Sequence, residues 1–345
     1  MSKSRGQRSA KTGVLIAIIV VLSIILCVLI AATVFVSTTL NRISRPDQLE
    51  TMSQEEIESV LYEEPEETEP DFTGEVIAPE DVVMPEKPVE VVQTGDNIIS
   101  ILLVGQDTKN MSIRSRTDSM ILCTINKTTK TLTMTSFLRD MHVKIPGWRD
   151  QRINVAYVLG GFETLYDSLE YNFGVQVDQG VAVNFASFEK VIDAVGGVDV
   201  ELTSREANHL NAQNYTWGLV EGVNTLNGEA ALAYARIRKI DSDFARTNRQ
   251  RTVITALLKK AKSLPLTDLY ALVEELIPMV VTDMDNAQIV SLAMEIAPLL
   301  QDLTIVSQRI PVDDGYRSAW VDGMAVLLPD LETNRQFLVD TIGEE

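Results

Sequence analysis

Residues 236–251 read RIRKIDSDFARTNRQR, five arginines and one lysine in sixteen residues of a chain whose formal net charge is −19. A guanidinium is a planar fork of donors that meets phosphate or carboxylate oxygens two at a time. Arginines gathered in an acidic chain therefore point to a bound anion. If Arg236-Ile237-Arg238 is extended, both guanidiniums fall on one face. On a helix after them, Arg246, Arg249 and Gln250 share a face at i, i+3, i+4. Asp243 stands where that helix would begin. It is either an N-cap worth about 1 kcal/mol or a group of the chemistry, a general base or an acid that orients an arginine.

More charge collects at the ends of expected strands. Asp107 follows the apolar run 97–104. Arg116 and Asp118 precede the run 120–126, and Arg139 and Asp140 follow 131–137. With 127–130 as a turn, the last two runs form a hairpin, which brings Arg139 near Arg116 and Asp118. Asp107 joins them if the first strand runs parallel to the third. Two carboxylates beside phosphate oxygens suit magnesium, which keeps octahedral oxygen ligation and takes only one or two protein carboxylates. Arginines around it would neutralise the remaining phosphate charge. Lys239, Arg249 and Arg251 receive no role.

The elements that must hold these groups alternate. Strands are expected at 97–104, 120–126, 131–137, 180–183, 198–202 and 303–310. Helices are expected at 160–172, 185–195, from Asn227 to 235, from Asp243 to about 263, at 266–280 and at 286–300. That pattern predicts an α/β layered α-β-α sandwich around a mixed central sheet. The sequence contains no phosphate-cradling glycine loop, His-rich metal motif or nucleophile elbow. The acidic balance argues against nucleic-acid binding. Two cysteines, Cys27 and Cys123, give no disulfide framework. His142 and His209 lack partners at ligand spacing and read as structural or surface residues.

The N-terminal part is organised differently. Residues 1–12 carry Lys3, Arg5, Arg8 and Lys11 and no acid, and 13–36 form an uncharged apolar run. A helix of that length spans a hydrocarbon layer of about 30 Å. The run is long for a signal peptide, so an uncleaved anchor is expected. Its basic flank lies in the cytoplasm and everything after it outside the cell. Residues 47–90 hold sixteen acids against one lysine, with five prolines. This composition predicts that 37–96 is a disordered stalk.

At the blocks LLVGQD, RTDSM, SFLRDMHVKIPG, INVAYVLGG, VNFASFEKVIDAVGGVDV and LNGEAALAYARIRKIDSDFARTNRQR the chain resembles the LytR–CpsA–Psr family of bacterial cell-envelope proteins. The match covers roughly 98–263, inside an extracellular domain 97–345 that residues 264–345 complete. The resemblance implies a phosphotransferase of a Gram-positive-type cell membrane. Its donor would be a polyprenyl-pyrophosphate-linked glycopolymer, its acceptor a muramic acid hydroxyl of peptidoglycan. It further implies that Arg116, Arg139, Arg236, Arg238, Arg246 and Gln250 hold the pyrophosphate, Asp107 and Asp118 position Mg2+, and Asp243 assists proton removal. An apolar tunnel would hold the lipid, with the helix 185–195 as a candidate wall. Lys109 and Arg251 depart from residues common in the family at those places. Two alternatives remain: a phosphatase with water as acceptor, and a non-catalytic receptor of lipid-linked polymer.

Overall fold

The computed structural model describes residues 37–50, 53–62, 74–92, 95–106, 108, 112–237, 240, 243–264 and 277–343. The expected cytoplasmic tail and membrane helix lie outside them, as do Asp107, Lys109, Lys239, Arg238, the side chain of Asp243 and most of the expected helix 266–280. Among the described residues no helix is long and apolar enough to cross a membrane. The chain divides into two units, Met1–Ile43 and Ser44–Glu345. The described part of the first is residues 37–43, which begin with a helical turn.

The second unit contains, in order, α1 (Gln54–Tyr62), β1 (Glu75–Ile77), β2 (Ile98–Gln106), β3 (Thr117–Asn126), β4 (Thr131–Phe137), β5 (His142–Val143), β6 (Gln151–Arg152), α2 (Ala156–Phe173), β7 (Gln179–Asn184), α3 (Phe185–Ala194), β8 (Val198–Leu202), α4 (Ser204–Gln213), β9 (Gly222–Leu226), α5 (Gly228–Ala235), α6 (Asp243–Ser263), β10 (Val281–Thr282), α7 (Asn286–Ile296), β11 (Thr304–Ile310), β12 (Tyr316–Val321), β13 (Met324–Pro329) and α8 (Leu331–Ile342). Six of these strands form the central sheet, in the order β10-β7-β2-β3-β4-β11. β3 is antiparallel to both β2 and β4, while β7 is parallel to β2 and β11 parallel to β4. β2, β4, β7 and β11 therefore point the same way, and their C-terminal ends share one edge with the start of β3.

Alternation along β3 builds two cores. Met120 and Leu122 face α2, packing with Leu102, Val104, Leu165 and Phe173. Ile121, Cys123 and Ile125 face the other side, against Ile254 and Leu258 of α6 and Leu292 of α7. Helices thus cover both faces of a mixed sheet, as the alternation predicts. A separate cluster joins the β8–β9 hairpin to α3, α4, α5 and Val253 of α6.

α2 begins earlier than expected and is kinked. Gly160 (φ −146°, ψ 16°) and Gly161 (φ +71°, ψ −149°) break its helical geometry. Gly161 adopts a region open essentially to glycine, and a Cβ there would lie 3.3 Å from Cζ of Arg114. Gly161→Ala is expected to destabilise the protein by about 1–3 kcal/mol and to displace Arg114, measurable as a lower urea midpoint together with reduced transfer.

The disordered stalk expected over 37–96 is corrected where the chain is described. β1 pairs in parallel with β12 in a sheet ordered β1-β12-β13. Val89 N–H donates to Tyr171 O at 3.1 Å and Val92 N–H to Gly174 O at 2.8 Å. Leu49 is buried in the first core, and Ile57 and Leu61 pack against it. Acidic, proline-bearing composition reports poor self-burial, but it does not report backbone pairing with an edge strand or docking on a core built elsewhere.

Candidate active site

The strand ends bring the charged groups together. Asp118 lies at the start of β3, and Arg139 follows β4 by two residues. Arg139 Nη1 donates to Asp118 Oδ1 at 2.6 Å, with both side chains mostly buried. Arg139 Nε lies 3.6 Å from Asp140 Oδ2, and Arg152 Nη1 donates to Asp140 Oδ1 at 3.2 Å. An alternating run Asp118–Arg139–Asp140–Arg152 therefore crosses this edge, which explains why the arginine-rich edge holds together before any anion binds. Arg116 precedes β3 on the same edge.

The opening arginine stretch contributes from two elements. Arg236 is the C-cap of α5, with φ −103° and ψ 1°. It is not extended, because α5 continues to Ala235 and the chain turns there; Arg238, the other half of the expected alternation, lies outside the described residues. Arg236 reaches the edge another way: its Cζ lies 4.2 Å from the ring centroid of Phe185, the residue directly after β7. α6 starts at Asp243, as expected. Its first turn sits over the end of β11, where Phe244 contacts Tyr316 at 5.3 Å between ring centroids and Arg309 Cζ lies 4.4 Å from the Phe244 ring centroid. Arg246, one turn further, is 2% exposed. Gln250 is half-buried, and its Oε1 is buried with no hydrogen-bond partner among the described residues.

Two arginines without an assigned role now have one. Arg249 Nε donates to Glu206 Oε1 at 2.7 Å and Nη1 to Ile237 O at 3.1 Å, tying α6 to α4. It therefore turns away from any shared face with Arg246 and Gln250. Arg251 Nε donates to Ser307 Oγ at 2.7 Å. Burial, aided by the nearby Arg309 charge, lowers the Arg251 pKa to about 10.

Arg114 was missed in the sequence. Its guanidinium packs on Gly161, and its charge reaches Tyr157, whose hydroxyl burial pushes above its ordinary range. The available signal was its spacing, two residues before Arg116. Among the described residues no group of three or more His, Cys, Asp or Glu is placed to hold a metal. Asp118 supplies a hard carboxylate at the edge, with Asp140 held between Arg139 and Arg152. His142 is buried, and burial lowers its pKa to about 4, so it is neutral at physiological pH.

The polyisoprenyl-teichoic acid–peptidoglycan teichoic acid transferase TagU of Bacillus licheniformis is 39% identical over 168 residues, covering 48% of this chain and 53% of that protein. TagT of Bacillus subtilis, named for the same activity, is 34% identical over 184 residues, covering 52% and 57%. The match thus spans little more than half the length of these relatives. The regulatory protein MsrR of Staphylococcus aureus is 30% identical over 256 residues, covering 72% of this chain and 76% of MsrR. A structure described as TagT bound to LIIa-WTA superposes with a TM-score of 0.60 at 27% identity, covering 74% of this chain and 94% of that one. The LytR_cpsA_psr family profile matches residues 72–340, and the chain belongs to that family.

Proposed function

We propose that this chain is a membrane-anchored, extracellular phosphotransferase. It moves a glycopolymer from a polyprenyl pyrophosphate carrier to a muramic acid hydroxyl of peptidoglycan. The observation that carries this reading is the Asp118–Arg139 pair at the shared strand edge, with Arg116, Arg236 and the first turns of α6 on that same edge. Ligands of open α/β sheets collect at such ends. The names of TagU and TagT and the TagT complex point the same way.

In the proposed reaction the acceptor hydroxyl oxygen attacks the sugar-linked phosphorus. A new P–O bond forms, and the bridging P–O bond breaks with its electron pair on the departing polyprenyl phosphate. The acceptor proton passes to a base, the role proposed for Asp243. Arg116, Arg139, Arg236, Arg238 and Arg246 neutralise charge on the transferring and leaving phosphates, and Gln250 hydrogen-bonds their oxygens. Positioning and charge neutralisation dominate this kind of chemistry. Asp118, with Asp107, fits magnesium, because that ion needs only one or two protein carboxylates beside phosphate oxygens. When bound, it supplies positive charge at the pyrophosphate.

An apolar groove for the lipid is proposed between the sheet and helices α6 and α7. Leu103 and Cys123 on the sheet, Ile254 and Leu258 on α6, and Leu292 and Ile296 on α7 are only partly buried although they lie between layers. These residues suit a prenyl chain, so α6 and α7 form the proposed wall. α3, expected in that place, packs mainly into the β8–β9 cluster. Glu50 N–H donates to Ser112 O at 2.8 Å, in the segment between β2 and β3.

Native mass spectrometry of the full chain from a detergent-solubilised membrane tests the lipid assignment. Polyprenyl phosphate is expected to co-purify. Cys123→Trp, which fills the groove, is expected to reduce the bound fraction several-fold; equal lipid in both proteins would exclude this groove. Burial pushes the Cys123 thiol up to about 12. A thiol reagent at pH 8 is therefore expected to leave Cys123 of the folded protein unmodified over the time that labels a free thiol.

A further inference from the structure

Beside the site, under residues 82–84, lies a cavity of about 370 Å³ that the proposed donor chemistry does not use. We infer that it is the acceptor subsite, taking an N-acetylated amino sugar that carries a short peptide. This inference rests on the transfer reaction proposed above.

The cavity's position is the first argument. Tyr316 lines it and also packs its ring against Phe244, 5.3 Å between centroids. Phe244 directly follows Asp243 and stands two residues before Arg246. His142, also in the lining, is three residues beyond Arg139 on a continuous run of chain. The cavity is thus joined to the proposed reaction centre by one aromatic contact on one side and one short segment on the other.

Its chemistry is the second argument. Asp314, Asp330, Arg317 and His142 line it together with Tyr316. Two carboxylates disfavour a phosphate or an anionic polymer, so the cavity is not a second donor site. They suit hydroxyls, amide N–H groups or an ammonium. Arg317 suits a peptide carboxylate, and the Tyr316 ring offers a flat face to a sugar. His142 is 5% exposed, and its Nδ1 has no hydrogen-bond partner among the described residues. A buried, neutral imidazole nitrogen of this kind calls for a partner, and an amide or hydroxyl of the ligand supplies one.

The third argument is the roof. Residues 82–84 are tied down on both sides. β1 pairs with β12 before them, and after them Tyr171 Oη donates to Pro85 O at 3.1 Å and Arg335 Nε to Glu90 O at 3.0 Å. Val83 is 92% exposed, so this pinned span does not fill the space beneath it with that side chain.

The test measures binding of muramidase-released muropeptides to the full-length chain in nanodiscs by equilibrium dialysis. The variants are Arg317→Glu and Asp314→Asn. Arg317 is exposed on β12, and asparagine tolerates the positive φ of 62° at Asp314, so both should fold. Saturable binding is expected in wild type, weakened tenfold or more by Arg317→Glu and less by Asp314→Asn, with binding of lipid-linked donor unchanged. Unchanged muropeptide binding in both variants, or none in wild type, overturns the inference. Transfer from the donor, measured separately, reports on the proposed reaction itself: wild-type transfer with an acceptor KM that Arg317→Glu leaves unmoved rejects the subsite while retaining the phosphotransferase.

Discussion

Arg139→Ala is expected to lower the rate of transfer by about 10³-fold or more, the range found when a charge-neutralising arginine is removed from phosphoryl transfer. The substitution removes a guanidinium from the strand edge and leaves Asp118, mostly buried, without the donor that now lies 2.6 Å away. Two losses are therefore combined, and Arg139→Lys separates them. Lysine keeps the charge but not the fork, so it should restore the fold's electrostatics more fully than it restores rate. The measurement is single-turnover transfer with a lipid-linked donor, beside a thermal melt that confirms folding.

The largest expected effect on stability lies away from the chemistry. Glu206→Ala should destabilise the protein by about 3 kcal/mol or more, because it leaves Arg249 buried without its acid. Arg249 and Glu206 join α6 to α4, and Thr203 closes a capping box on the same carboxylate. Burial by itself pushes the Glu206 carboxyl up. The bonds from Arg249 and Thr203 outweigh it and hold its pKa below the ordinary value. A lowered folded pKa makes the contribution full above the unfolded glutamate pKa, and the contribution is lost as pH falls through the folded one. Stability in wild type should therefore drop as pH falls below about 4.3, and the drop should be smaller in Glu206→Ala. Urea unfolding at pH 7 and pH 4 measures both. Replacing both partners by apolar residues of similar size should cost much less than removing one.

These two residues show what the sequence discloses and what it does not. Asp118 and Arg139 were legible because a hairpin of two apolar runs brings a strand start beside a strand end, and the apolar runs themselves mark β2, β3 and β4. Asp243 as the first residue of α6 was legible from its side-chain type. Arg249 was not: periodicity put it on a face with Arg246 and Gln250, while its partner Glu206 lies 43 residues away in a helix that was not expected. Arg236 was expected in an extended segment, whereas α5 caps there and Phe185 holds the guanidinium. The β12–β13 hairpin carried its own signal. Asp322 and Gly323 have φ 50° and 74°, the two positive values that an Asp-Gly turn between strands demands. The docking of 74–92 had no comparable signal, because an edge strand is held by backbone groups that every sequence possesses.

The proposed reaction transfers phosphorus to a peptidoglycan hydroxyl with polyprenyl phosphate as the leaving group. The most direct measurement incubates the full chain with a donor labelled at the sugar-linked phosphate, magnesium and purified peptidoglycan. The label should become covalently attached to peptidoglycan through a phosphodiester, with one polyprenyl phosphate released per linkage, and Arg139→Ala should abolish both. Labelled polymer set free in solution with none on peptidoglycan would make the protein a phosphatase. A bound donor that is never consumed would make it a receptor. Either result would contradict the account.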